Sequence, residues 1–238
     1  MSWIAVAGVT IVMAVSAMLQ GAVGFGLGLV AIPFLIYLDI RFVPGPLLMA
    51  ALTLHMLVLR RDRSGVDKSG LVMLLSGRVL GTIPAAILLA SLPLDGMKIL
   101  LAGIVIAGAA MALLHPGGPA TRGVLFSAGT ASGFMATAAG LGGPPVALVY
   151  QRESGVRLRG TLAAYFIVGT VLSLIALAWA GRFGREEIGL SAFLIPGTVI
   201  GYLMSRPAAA YLDSGRTRAA VLTVSALSAV SVIVTVLL

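Results

Sequence analysis

The stretch Gln20-Gly21-Ala22-Val23-Gly24-Phe25-Gly26-Leu27-Gly28-Leu29-Val30-Ala31-Ile32-Pro33 sets four glycines into an otherwise continuous apolar run. Half a chain later the design returns in Ser132, Gly133, Gly140, Leu141, Gly142, Gly143, Pro144, Pro145 and Gln151. A shift of 116 residues lays Ser16 on Ser132, Gly24 on Gly140 and Gly26 on Gly142. Two broken hydrophobic segments at matching positions of two halves point to a binding site inside a membrane protein.

Composition places the whole chain in the bilayer. Of 238 residues, 59% are hydrophobic and 10% charged, and the mean hydropathy is +1.09. Soluble domains are about a quarter charged. The longest gap between apolar runs, roughly 60–69, is a loop rather than a second core, so a single membrane domain over 1–238 is expected. With no cysteine, disulfides, thiolate metal sites and cysteine nucleophiles are excluded. The net charge of +8 comes from loops between spans, so it reads as membrane orientation and not as nucleic-acid binding. The first apolar run starts at Trp3 without a basic leader, and no cleavable signal is expected.

Apolar runs of the ~20 residues needed to cross the hydrocarbon fall at about 42–60, 70–91, 95–115, 160–180, 186–204 and 217–238. The glycine-broken stretches are 3–38 and 121–151. A single helix over the first would reach roughly 54 Å against a core of about 30 Å, so each is either a kinked crossing or a hairpin.

Charge separates the two. If both stretches cross, Lys and Arg divide almost evenly between the two faces. If both return, one face holds Arg60, Arg61, Arg63, Lys68, Arg122, Arg152, Arg157, Arg159, Arg206, Arg216 and Arg218. The other then holds Arg41, Lys98, Arg182 and Arg185. The positive-inside rule selects the hairpins. The expectation is an all-α polytopic protein of two inverted-topology repeats, 1–119 and 120–238, each a glycine-broken hairpin followed by three transmembrane helices. Gly77 and Gly81 match Gly197 and Gly201 in the second half.

All eight acidic residues fall in loops or at span ends, which argues against a cation substrate and for an anionic or neutral one. Arg78 lies inside a span without an acidic partner there, so a bound anion is a natural counter-charge. Alternatively its guanidinium caps carbonyls freed by the hairpins or snorkels to the interface. Half-helices starting at the glycine breaks aim N–H groups at one region, which favours negative charge. Gly24, Gly26, Gly28, Gly140, Gly142, Gly143 and Pro144 are therefore substrate-binding candidates, joined by the polar residues Gln20, Thr137 and Gln151. Ser16 and Ser132 either line the same site or bond their own i−4 carbonyls. Gly8, Gly103 and Gly108 read as helix-packing glycines. His55 is the candidate for proton coupling, against the plainer reading of a packed interfacial histidine. Thr53, Thr82, Tyr165 and Thr170 are further pathway candidates. No catalytic constellation is present, no metal or cofactor is expected, and His115 sits in a loop beside Pro116.

The motifs QGAVGFGLGLVAIPFL at 20–35 and SGFMATAAGLGGPPVALVYQ at 132–151, with the spans after each, resemble the TauE/SafE sulfite exporter family, also called TSUP permeases. Gly24, Gly26, Gly28 and Pro33 match its first motif; Gly133, Gly140, Gly142, Gly143 and Pro144 match its second. The chain departs from the family pattern at Leu27, usually glycine, and at Val149, usually proline. The resemblance implies transport of a small sulfur-containing anion (sulfite, sulfoacetate or another organosulfonate) across the bacterial inner membrane. A passive anion channel and a non-transporting membrane scaffold are the alternatives.

Overall fold

The computed structural model describes residues 3–113, 120–150, 153 and 155–213. These are helical throughout, without strands: α1 Trp3–Val23, α2 Leu27–Leu38, α3 Gly45–Asp62, α4 Lys68–Ser91, α5 Leu94–Leu113, α6 Arg122–Ala139, α7 Gly143–Tyr150, α8 Gly155–Trp179 and α9 Arg185–Asp213. Four are long and apolar enough to span a bilayer, over Ala5–Val23, Lys68–Ser91, Gly155–Trp179 and Arg185–Tyr211. Exposed Val72, Ile99, Ile175 and Trp179 give the outer surface the apolar character that lipid requires. The span expected at 217–238, and His115, lie outside the described residues. Helix α8 begins five residues before its expected span and α9 runs on through Pro207, so Arg157, Arg159 and Arg206 are helical and not in loops.

Both glycine-broken stretches are hairpins. The first breaks between α1 and α2 at Gly24 and Gly26, with φ 108° and 118°, and the second between α6 and α7 at Gly140, with φ 77°. Glycine alone adopts this left-handed region without steric cost. Helices α1 and α9 run parallel, because Gly197 abuts Thr10, Gly201 abuts Ala14 and Gly21 abuts Ser205. Just past α2, Arg41 pairs with Glu186 at 2.7 Å, in the first turn of α9. The chain has thus returned to the end where α1 began. Helices α4 and α6 are likewise parallel, Gly129 against Leu74 and Gly133 against Arg78. At the far end of α7, Tyr150 donates to Asp67 at 3.2 Å, and Asp67 caps the start of α4. Hydrogen bonds from Ser69 hold the Asp67 carboxyl below its usual range, against the opposing effect of burial. Its contribution to stability is therefore present at neutral pH and is lost as pH falls through that lowered value.

The remaining contacts fix which end is which. Asp62, at the end of α3, pairs with Arg159 near the start of α8. At the opposite end of the molecule, Arg182 donates to the Leu89 and Leu92 carbonyls at 3.0 and 2.6 Å. The α6–α7 hairpin hangs from the Asp62 end and the α1–α2 hairpin from the Arg182 end.

Glycines let the long helices approach backbone to backbone. A Cβ at Gly77 would strike the Phe126 carbonyl, one at Gly81 the Thr130 carbonyl, and one at Gly201 the Ala14 carbonyl. These are small-residue contacts of the kind that hold membrane helices together. Gly108 packs in the same spirit against Leu141, but a Cβ at Gly8 or Gly103 would meet no atom of the described residues within 4 Å, so among those residues the packing role expected for them has no partner. Replacing Gly81 by Leu should therefore destabilise the fold by about 1–3 kcal/mol through overpacking. Gly103→Leu should change stability by less than about 0.5 kcal/mol. Thermal unfolding of the two variants in detergent checks the contrast.

Candidate functional site

The two glycine breaks touch. A Cβ placed on Gly28 would lie 2.9 Å from the Gly140 carbonyl oxygen, and one on Gly143 would lie 2.9 Å from Phe25 Cβ. The return arms explain where this happens. Helix α2 has 12 residues and α7 has 8, about 18 Å and about 12 Å of helix. End to end they make up the ~30 Å of hydrocarbon, so tips approaching from opposite ends meet in the interior. Beside the contact lies a cavity of about 30 Å³, enough for a single water. Gln20, Gly26, Gly28, His55, Arg78, Gly140, Gly142, Gly143 and Pro144 border it, together with Phe166 and Thr170.

Arg78 is fully buried, so it does not snorkel. Its Nη2 donates to the Gly169 carbonyl at 2.9 Å and to Ser173 Oγ at 3.0 Å. Its Nη1 donates to Ser132 Oγ at 3.3 Å, and its guanidinium carbon lies 5.4 Å from the Tyr165 ring centroid. The carbonyl it holds belongs to α8 rather than to a hairpin, so the capping alternative also fails. Ser132 in turn donates to the Gly142 carbonyl at 2.6 Å, which ties the cation to the second break. Among the described residues no carboxylate pairs with Arg78, and its Nε has no hydrogen-bond partner.

His55 also borders the cavity, buried in α3 and stacked on Phe166 at 4.9 Å between ring centroids. The interfacial packing role is thereby replaced by an interior one. Its Nε2 lies 2.6 Å from Gln20 Nε2, while Gln20 Oε1 accepts the Leu27 N–H at 2.9 Å. Gln20 therefore serves one of the orphan donors at the start of α2.

The other expected site residues separate from this group. Gly24 lies against Arg159 and Leu162. Thr137 stands behind Arg78, bonded to Ser173 at 2.8 Å and to Thr82 at 3.3 Å. Gln151 lies outside the described residues. Ser16 bonds its own i−4 carbonyl, that of Val12, and Thr53 does the same with Met49.

Sequence reasoning missed a buried ion cluster at the first break. Asp62 accepts from Arg159 Nε at 2.9 Å and from Arg61 Nη2 at 2.9 Å. Arg61 also donates to the Gly21 carbonyl at 2.5 Å, and Arg159 to the Ala22 carbonyl at 3.3 Å. The two guanidiniums meet the free carbonyls and the negative dipole end of α1. Asp62 stands at the end of a helix, where the sequence places the acids, but it is buried. Ser173 was missed too, although Phe166, Gly169, Thr170 and Ser173 recur at helical spacing and mark one face of α8.

A family model described as sulfite exporter TauE/SafE matches residues 9–232. A curated relative from Cupriavidus necator, named probable sulfite/organosulfonate exporter TauE, is 27% identical over 115 residues. That alignment covers 46% of this chain and 45% of the relative, so it spans less than half of that protein's length. No solved structure matches.

Removing one member of the buried cluster should be costly. Asp62→Ala strands two guanidiniums and should lose about 3–5 kcal/mol of stability. The double variant Asp62→Leu/Arg159→Met should recover only part of this, since Arg61 still lacks its carboxylate and the Ala22 carbonyl loses its donor. Equilibrium unfolding in mixed micelles reads both values.

Proposed function

The chain belongs to the TauE/SafE sulfite exporter family, and from that premise we propose that it is a secondary transporter for a small sulfur-containing anion. Sulfite or an organosulfonate such as sulfoacetate would cross the bacterial inner membrane by way of the cavity where the two breaks meet. The observation that carries this reading is Arg78: fully buried, bordering that cavity, and without a carboxylate partner among the described residues. A charge held in a low-dielectric interior calls for a counter-charge, and a transported anion supplies one. The starts of α2 and α7 add helix-dipole positive ends at the same place.

The further reading is of one membrane domain with two inverted-topology repeats, 1–119 and 120–238. Exchange of the halves would carry α1 packed on α9 into α6 packed on α4, which are the two most extensive helix pairings among the described residues. The left-handed glycines Gly24 and Gly140 would exchange likewise. Rocking of the repeats about the meeting point would give alternating access. Buried polar groups around the cavity are expensive for a scaffold that moves nothing.

Sulfite flux into proteoliposomes tests the site. Arg78→Ala should lower it on the order of 100-fold, and Arg78→Lys should fall between, retaining charge without the planar fork. Equal flux for wild type and Arg78→Ala would sink the assignment. The topology has its own test, because the chain contains no cysteine. Single cysteines at exposed Leu38 and Gly184 should react with an impermeant maleimide from one face, and those at Ser64 and Thr121 from the other, cytoplasmic face. Labelling of Leu38 together with Ser64 would contradict the returning hairpin.

A further inference from the structure

Among the described residues two buried side-chain nitrogen or oxygen atoms lack a hydrogen-bond partner, His55 Nδ1 and Arg78 Nε. Both residues border the same cavity. Native interiors rarely leave such groups unpaired, and each exception calls for an explanation. What they are missing depends on whether they donate or accept.

Arg78 Nε can only donate. His55 Nδ1 could do either, and Gln20 decides. The amide oxygen of Gln20 is committed to the Leu27 N–H at 2.9 Å; with the amide turned over, its NH₂ would face that N–H. The NH₂ group therefore points at His55 Nε2, 2.6 Å away. Nε2 must accept, so the single proton of a neutral imidazole sits on Nδ1. An imidazolium would set N–H against N–H at Gln20. Arg78 is the charged group that shares the cavity with His55, and a second positive charge there would be opposed. The two orphan atoms are thus both donors, and no orphan acceptor accompanies them among the described residues.

We propose that His55, locked by Gln20 in the neutral Nδ1–H tautomer, is a substrate ligand that donates alongside Arg78 to one anionic sulfo group. The proposal rests on the transport-site reading and extends it. His55 holds the anion and does not carry a coupled proton, and Gln20 is a positioning residue that sets which ring nitrogen faces the site. The shared chemistry is an –SO₃ face with at least two acceptor oxygens, present in free sulfite and in the headgroup of a sulfonate. Gln20 also fixes the first residue of α2, so ligand contact at His55 is linked to the tip of the first hairpin.

The chain has two histidines, so ¹⁵N-histidine labelling yields two imidazole spin systems. His115→Gln assigns the one that remains. In micelles at neutral pH the long-range ¹H–¹⁵N pattern of His55 should be that of the Nδ1–H tautomer. Titration with sulfite, and separately with methanesulfonate, should shift the Nδ1 resonance, and the two arms show whether free sulfite or a sulfonate headgroup is taken. By calorimetry, His55→Phe, which keeps a ring to stack on Phe166, should weaken sulfite binding about 10- to 100-fold, and Arg78→Ala should weaken it at least as much. Wild type that binds sulfite with the proton on Nε2, or with an unmoved Nδ1 resonance at saturation, overturns this inference and leaves the transport site standing. Wild type that binds neither anion overturns both. Should His55→Phe fail to fold, the wild-type titration decides alone.

Discussion

Everything in this fold answers to one constraint: a backbone broken inside the buried core of a membrane protein must find partners for its exposed peptide groups within the protein. The two breaks meet that constraint differently. At the first, side chains do it. Gln20 takes the Leu27 N–H, and Arg61 and Arg159 take the Gly21 and Ala22 carbonyls. At the second, the backbone and sequence do more of it. Gly140 closes α6 by donating to the Ala136 carbonyl, Ser132 takes the Gly142 carbonyl, and Pro144 and Pro145 have no N–H to satisfy. What remains unpaired among the described residues is a pair of side-chain nitrogens, His55 Nδ1 and Arg78 Nε, on residues that border the same cavity.

The two halves therefore share a plan without sharing chemistry. Ser16 and Ser132 occupy matching positions, yet Ser16 folds back on its own helix while Ser132 reaches across to the break. Gln20 has Ala136 opposite it at the same shift, and Gly28 has Pro144. Arg78 has Thr198 at the shift that aligns Gly77 with Gly197, and Thr198 is satisfied locally by the Leu194 carbonyl. The first half of the chain thus supplies the cation, the histidine and the glutamine, and the second half supplies the Ser132 and Ser173 hydroxyls and backbone carbonyls.

This uneven division decides what could be read from the sequence. The hairpins were legible because basic residues sort by membrane face, a property that needs no knowledge of packing. Arg78 was legible because a charge in an apolar run is conspicuous anywhere. The glycines at 26, 28, 140, 142 and 143 were legible through their echo. The Asp62 cluster was not, because Arg60-Arg61-Asp62-Arg63 looks like any solvated loop, and what buries part of it is the hairpin tip arriving from a distant part of the chain. Thr137 and Gly24 were placed one layer too far inward for a similar reason. Periodicity fixes the face of a helix, but which neighbour covers that face is set by tertiary contact. Gly8 and Gly103 show the converse among the described residues, where no backbone lies opposite them.

The same burial makes the two ends of the molecule unequal. At one end the hairpin hanging there is tied by Arg41 to Asp39 and Glu186, with more than half of the Arg41 and Glu186 side-chain surface exposed. Ion pairs of that kind contribute about 0–1 kcal/mol and weaken with salt. At the other end Asp62, Arg61 and Arg159 are enclosed and also hold the carbonyls that terminate α1. Separating them would strand a charge in the interior, at a cost of about 3–5 kcal/mol. In the alternating-access cycle proposed above, opening toward the Arg41 end would leave this cluster intact, whereas opening toward the Asp62 end would have to break it or carry it as a unit. Because Arg61 and Arg159 grip the last turn of α1, carrying it as a unit means moving the α1–α2 hairpin together with the adjoining ends of α3 and α8.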